Sequence, residues 1–592
     1  MRSFYTFLVA LAACAGHATS EAGIVLAVRG RPADACIRIA SGAGPCVRYA
    51  ADELAAYVRR MTGVLMPVVE ASGDAVGLKA AELRVRPGCG LGPEGYRLKA
   101  SQAGLLIEGE TPRGVLFGVY GLLETFGGVE WLSWTQTVVP KREEFSVPSG
   151  LDATERPALD MRECSFEDAR HPDFAAHLRL NGPAHGLLAR HGADGRHGFV
   201  RGLGRCHTLP SLMPAKEFFK DHPEYFAMMD GKRVPYGQLC LTNPDVIRIV
   251  TERVLERIRK DPVPKYYGVS QADALCWCEC ERCTAGYDST GAYSGPLVAF
   301  VNQIAFEVEK EFPGKILETL AYRYTRMPPQ RIKLRPNVMI CFCSFFRDYR
   351  EPHRVSSYFR SRDLVRELDG WSRLANHLMI WDYSLAVRHY LMPFPDVMTY
   401  KDNIKFYLEK GATEMLVLGS GHCSDFAALK IWLYAKLMWN PDQDVDALID
   451  RFLAGYYGAA APLVREYFDS IYALRRDTEK MPLTFYEEVD DGNLTDEVLE
   501  KGIAVLEAAE ELVKGDDVRA QNVREARLSP VYALLLRRAR RGGGARGEGR
   551  LANAPLLDFF ERQMRESGPI RLAERVSQVD ANMSAIRGLV AD

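Results

Sequence analysis

The sequence predicts a multidomain α/β protein, with an α+β domain in front, a central (β/α)8 barrel of the TIM type and a helical C-terminal domain. Three observations carry this expectation. The chain has 592 residues, more than the roughly 100 to 200 of one compact domain. From about Leu159 to Trp439, short apolar runs alternate with helix-period segments, the rhythm of repeated β-α units. After Asn440-Pro441 the strand signals stop and helical periodicity takes over. Apolar residues make up 47% and charged residues 26%, a balance that excludes a mainly disordered chain. Lys plus Arg number 75 against 77 Asp plus Glu, a net charge of -2. A nucleic-acid partner is therefore not expected, and the expected ligand is small or neutral.

Residues 1–21 read as an export signal. Phe4 to Ala13 form an apolar run behind Arg2, about half the ~20 residues that a spanning helix needs. Leu11-Ala12-Ala13-Cys14 has the form of a bacterial lipobox, while Gly16-His17-Ala18 offers a small-residue cleavage site. Lipidation at Cys14 and simple secretion both place the mature chain outside the cytoplasm, as a secreted, periplasmic or surface lipoprotein. Any membrane association would then run through a lipid anchor alone.

The front domain is expected over 22–150. Its β-rich runs are Ile24 to Val28, Ile37 to Ile39, Tyr96 to Ala100 and Leu105 to Glu108. Between them, Pro45 to Met61 begins with Pro and ends before Gly63, and Pro112 to Phe126 ends at Gly127-Gly128, which are helix start and stop signals. Pro140 and the VPSG at 147–150 mark the boundary.

The barrel is expected over 155–440, with eight strands near Leu159 to Cys164, Gly186 to Leu188, Gln238 to Leu241, Tyr266 to Val269, Ile316 to Ala321, Val338 to Cys343, Leu378 to Trp381 and Met415 to Leu418. The intervening helices include Pro244 to Lys260, Gly295 to Phe312, Asp363 to Ala375, Val397 to Lys410 and Asp425 to Trp439. The helical domain, 441–592, contains Val445 to Tyr457, Ala461 to Arg476, Asp496 to Val513 and Asn553 to Ser567. Its RRARRGGGARGEGR stretch at 537–550, with Arg537, Arg538, Arg540 and Arg541, reads as a solvated loop between helices.

A barrel of this kind displays its functional groups just past the C-terminal ends of its strands. The fourth strand leads into Ser270-Gln271-Ala272-Asp273, the fifth carries Glu318 and Tyr322 at period two, and the seventh runs out through Trp381-Asp382-Tyr383. Glycosidic bonds are cleaved in most families by two carboxyl groups, while aromatic rings meet sugar faces. Asp273, Glu318 and Asp382 are the candidate catalytic carboxyls. His207, Gln271, Tyr322, Trp381 and Tyr383 are the candidate sugar-binding residues. His222, in HPEYF, reads as a turn residue.

The 14 cysteines include Cys14 in the leader, so an odd number remains and they cannot all pair within the chain. Cys276, Cys278, Cys280 and Cys283 crowd into CWCECERC. A structural metal and a disulfide both fit this loop, although no clean second ligand pair stands out in the sequence. A redox role for Cys280-Glu281-Arg282-Cys283 lacks the strand-helix context of such motifs. No organic cofactor is expected.

HPEYFAMMDGKR at 222–233, QLCLTNPDV at 238–246, VSQAD at 269–273, SGPLVAFVN at 294–302, LAYRYTRMPP at 320–329 and IWDYSLAVRHYLMPFPD at 380–396 occur in order. Together they resemble the exported bacterial proteins of domain-of-unknown-function family 4838, a group that includes glycoside hydrolase family 163, endo-β-N-acetylglucosaminidases acting on complex N-glycans. AADELAAYVRRMTG at 50–63 and GYRLKASQAGLLIEGETPRGVLFGVYGLLE at 95–124 are similar to the non-catalytic N-terminal domain of α-glucuronidases and β-hexosaminidases. The resemblance implies a carbohydrate-active barrel with a glycan or oligosaccharide substrate. The family pattern has a Glu after the sixth strand and another at the end of the eighth. Here those places hold Ser344-Phe345-Phe346-Arg347 and Leu416-Val417-Leu418-Gly419. The acid function would then be lost, pass to Asp348, Glu318 or Asp382, or give way to plain sugar binding.

The sequence therefore points first to a glycoside hydrolase acting on an N-acetylhexosamine-containing or related glycan. A non-catalytic glycan-binding surface lipoprotein on a degenerate barrel is the alternative, and a metal- or redox-dependent enzyme centred on the cysteines a third reading.

Overall fold

The computed structural model describes residues 23–71, 79–195, 206–477, 481–491, 494–541, 548–568, 570–574 and 576–588. The expected leader and its Cys14 lie outside the described residues. No helix among them is long and apolar enough to cross a membrane. The chain divides into two units, one made of residues up to 129 with 139–156 and 190–192, the other of the remainder.

The first unit is α+β. Its strands are β1 (Ile24–Val28), β2 (Ala35–Ala40), β3 (Val68–Ala71), β4 (Lys79–Val85), β5 (Tyr96–Ser101), β6 (Gly104–Gly109), β7 (Glu144–Val147) and β8 (Asp152–Glu155). Six of them form a mixed sheet in the order β8-β5-β6-β4-β2-β3, while β1 pairs with β7. Helix α1 (Pro45–Thr62) starts on Pro45 and stops at Gly63, whose φ of 82° is the left-handed cap. Helix α2 (Pro112–Leu122) is capped by the Thr111 side chain, which accepts from Gly114 N. Its glycines let it lie close on the sheet: a Cβ on Gly118 would stand 2.7 Å from Ile107, and one on Gly121 2.1 Å from the Tyr96 hydroxyl.

The second unit holds a curled parallel sheet. Its strands are β9 (Met161–Cys164), β10 (Tyr266–Gly268), β11 (Ile316–Ala321), β12 (Val338–Cys343), β13 (His377–Tyr383) and β14 (Ala412–Leu418). They run in the order β9-β14-β13-β12-β11-β10, which sets the first strand beside the last, as in a barrel. Strands β11 and β12 are buried at every position, as expected of parallel strands covered on both faces.

The eight-stranded closure does not form among the described residues: the expected strands at Gly186–Leu188 and Gln238–Leu241 are absent, leaving a half-barrel open between β9 and β10. The reason is visible at the two edges. Along β9, Arg162 N donates to Asn181 Oδ1 at 2.8 Å, Asn181 N donates back to Arg162 O at 3.1 Å, and Cys164 N reaches the buried His185 ring at 3.4 Å. Along β10, Thr208 Oγ1 donates to Gly268 O at 2.9 Å and accepts from Ser270 N at 3.0 Å. These loops satisfy the edge groups that a neighbouring strand would otherwise take. Gln238 makes a similar substitution, since its side-chain amide bonds both Ala272 O (2.9 Å) and Ala272 N (3.0 Å).

Helices pack around the sheet: α3 (Pro244–Lys260), α4 (Glu281–Thr290), α5 (Ser294–Glu311), α6 (Phe359–Leu374), α7 (Tyr400–Glu409) and α8 (Ala427–Trp439). Helix α3 buries Val246, Val250, Val254 and Ile258, one stripe at spacing four, and is capped by Asn243. Helices α9 (Val445–Tyr457), α10 (Ala461–Asp477), α11 (Asp496–Leu512), α12 (Asp517–Arg540), α13 (Glu548–Glu566) and α14 (Val576–Gly588) complete the unit. The arginines at 537, 538 and 540 are not in a solvated loop. They end α12, where the Arg537 side chain is buried on Asp496 (2.8 Å), Arg538 pairs with Glu500, and Arg540 meets Glu488 (2.9 Å).

Candidate active site

A cavity of about 740 Å³ opens at the C-terminal end of the curled sheet. Its floor is made by Leu320, Cys343 and Leu418 from β11, β12 and β14, and its aromatic wall by Tyr322, Trp381 and Tyr383. Period two explains this set. Leu320 and Tyr322 share one side of the chain, as do Trp381 and Tyr383, and those sides face the cavity.

Asp273 stands on the loop that leaves β10, with its side chain 53% exposed. Its Oδ1 accepts from the Tyr322 hydroxyl at 3.0 Å and pairs with Arg323 Nε at 3.0 Å. Arg323 also donates to the Tyr322 oxygen at 2.8 Å, so the three groups form a closed triangle. Arg323 reaches it from a left-handed backbone (φ 52°), an uncommon conformation for a residue with a side chain. His207, also left-handed at φ 56°, lines the cavity and bonds Gln271 O through Nδ1 at 2.8 Å. Gln271 is buried behind it, donating to Thr325 Oγ1 (2.6 Å) and Leu320 O (3.1 Å). It supports the wall and is not among the residues that line the cavity.

The other two candidate carboxyls do not line the cavity. Glu318 shares the side of Leu320 and Tyr322, but it sits deeper along β11 and is 1% exposed. Asp382 lies between Trp381 and Tyr383 and so points away from the cavity. It is enclosed by Arg347 Nη2 (2.8 Å), Ser344 Oγ (2.6 Å) and Tyr383 N (2.8 Å). Burial raises its pKa, while the Arg347 charge and these hydrogen bonds oppose the rise. At the two positions where the sequence resemblance implies a Glu, Phe346 lies under Arg326 and Arg360, and Val417 is buried in β14. Asp348 is occupied by Arg350 N (2.9 Å) and Leu483 N (3.0 Å).

The mouth carries groups that the motifs did not indicate. Phe485 packs edge-on against Tyr383 at 5.1 Å, with Tyr486 beside it. Glu488 is held by Arg388 (2.5 Å), His389 (2.7 Å) and Arg540 (2.9 Å). Burial alone would raise its pKa, but the hydrogen bonds from His389, Arg388 and Arg540 prevail and draw it down to about 2. Burial in turn lowers His389, whose Nε2 donates to Glu488 while Nδ1 accepts from Asn582 at 3.3 Å. Burial also pushes the Tyr322 and Tyr383 phenols upward, so both remain protonated donors at neutral pH. Arg323 and Arg388 stood inside quoted motifs, but Glu488 stands on an irregular segment between helices that no periodicity marks.

Of the sequence's cysteine cluster, Cys278, Cys280 and Cys283 converge, and Cys240 joins them. Cys276 does not, its sulfur lying against Gly237. The four converging thiols could hold a metal.

The chain belongs to the DUF4838 family, a domain of unknown function, which matches residues 131–469. No curated protein matches it. Among solved structures it is similar to a family GH115 4-O-methyl-α-glucuronidase with specificity for decorated arabinogalactans. That likeness has 14% identity and a TM-score of 0.55, covering 96% of this chain and 82% of that one. It is also similar to a GH138 enzyme targeting pectin rhamnogalacturonan II, at 10% identity and a TM-score of 0.50, over 94% and 98% of the two chains. A mutant β-hexosaminidase of Streptomyces plicatus aligns more loosely, at 16% identity and a TM-score of 0.43, over 73% and 91%. At these identities the likeness is one of fold.

Proposed function

We propose that the protein is a glycoside hydrolase that takes a glycan containing an N-acetylhexosamine or a related sugar into this cavity. The observation that carries the reading is the triangle of Asp273, Tyr322 and Arg323 beside the Trp381 and Tyr383 rings. A carboxylate fixed by two donors is positioned before substrate arrives, so little reorganisation is needed when charge develops. Asp273 then polarises an acetamido group or acts as base, Tyr322 holds that carboxylate, Tyr383 donates to a sugar hydroxyl, and Trp381 offers an apolar face to a ring. Endo-action on complex N-glycans is the finer form of this proposal. The apolar run behind Arg2 supports action outside the cytoplasm. The likeness in fold to two glycan-directed enzymes agrees with it.

A second reading, a glycan-binding protein without turnover, is favoured by the floor of Leu320, Cys343 and Leu418 and by the absence of Glu318 and Asp382 from the lining. Incubating the purified protein with a panel of glycans and resolving the products by mass separates the two. Released sugar supports the hydrolase. Retained but intact glycan supports the binding protein.

A further inference from the structure

Cys240, Cys278, Cys280 and Cys283 are brought together from two separate stretches of chain. Cys278 lies on the loop after β10, Cys280 is the N-cap of α4, Cys283 is in that helix's first turn, and Cys240 comes from the segment before α3. Cys240 Sγ stands 3.6 Å from Cys280 Sγ and 3.9 Å from Cys283 Sγ, and all four sulfurs lie within 4.8 Å of one another. A tetrahedral zinc with Zn–S bonds of about 2.3 Å places its sulfurs about 3.8 Å apart. A disulfide would need about 2.05 Å. We propose that these four cysteines form a structural Zn2+ site that staples the Asp273 loop to the hairpin and turn at 226–240.

Three further observations agree. The cysteines are 0–7% exposed, and with four protein ligands the site leaves no position for water, the mark of a structural rather than a catalytic zinc. Donors surround the sulfurs: Met228 N reaches Cys278 Sγ at 3.4 Å, Arg233 Nη1 reaches it at 3.6 Å, and Thr242 Oγ1 lies 3.2 Å from Cys283 Sγ. Such second contacts spread the negative charge of metal-bound thiolates. Four buried thiols can also act as plain small hydrophobes, but this patch has little else to hold it. Ala227 is the other buried member of the cluster, with Met228, Val234 and Tyr287 partly covering it. An irregular region with so small an apolar core is the kind that a metal stabilises.

The test is metal analysis of the purified full chain, read with a mercurial titration that releases thiolate-bound metal to a chromogenic chelator. About one zinc per chain is expected, freed in step with four thiolates. Cys240→Ser is expected to lose the zinc and Cys276→Ser to keep it. Because Cys240→Ser can also unfold the region, wild-type protein stripped by chelator and reloaded with zinc alone provides the second measurement: its melting temperature should fall on stripping and recover on reloading. Folded wild type with no zinc and four freely titrating thiols overturns the proposal. So does a disulfide among the four, iron in place of zinc, or equal zinc loss in Cys276→Ser. None of these readouts depends on glycan turnover.

Discussion

Arg347 and Asp382 form an ion pair at 2.8 Å with side chains 0% and 2% exposed. Arg347 also donates to Tyr383 O at 3.1 Å, which ties the pair to the strand that carries the cavity's aromatic wall. Removing one member of such a pair leaves a buried charge without compensation. Arg347→Met is therefore expected to cost about 3–5 kcal/mol in chemical denaturation. Wild-type stability in that variant would show that the pair is not what encloses Asp382.

Glu488 gives the fold a pH dependence of known sign. Its folded pKa of about 2 lies below the ordinary 4.5, so its contribution is present above about pH 4.5 and is lost as pH falls toward 2. The melting temperature of Glu488→Gln should lie below that of wild type at neutral pH, and the gap should close across this acid range. A gap that stays constant with pH would contradict the assignment.

How far the sequence could be read depended on how each element is held. Strand β12 was plain as a continuous apolar run, and β11 as one broken only by Glu318 and Thr319, because both faces are covered. The strands expected at Gly186 and Gln238 were apolar enough to suggest pairing, but their partners' edges are satisfied by the side chains of Asn181, His185, Thr208 and Gln238. No periodicity reports that exchange. Helix α12 was obscured by Pro530 and by a cluster of arginines that find acidic partners only in the folded chain.

The site was legible where strand ends point. Tyr322, Trp381, Tyr383 and Asp273 followed from that rule, and all four line the cavity. The same period-two rule that places Trp381 and Tyr383 together sends Asp382 to the other side. Glu318 has the right side of the strand but the wrong depth. Cys240 sits alone in LCLTN, with nothing local to connect it to CWCECERC.

Trp381 offers the cavity's broadest apolar face, in a near-parallel pair with Tyr383 at 6.4 Å. Trp381→Ala is expected to weaken glycan affinity about tenfold, the size of one aromatic contact. Calorimetry on a bound glycan checks this, and unchanged affinity would remove Trp381 from the sugar-binding wall.

The central claim is that Asp273 performs chemistry on a glycan, and the kinetics of Asp273→Asn test it most directly. Asparagine keeps the shape and an acceptor for Tyr322 but removes the charge that pairs with Arg323. Acid-base contributions run to roughly 10² to 10⁴-fold, so kcat should fall at least ~100-fold while KM changes far less and the melting temperature holds. A folded Asp273→Asn variant that turns over glycan as fast as wild type would contradict the account.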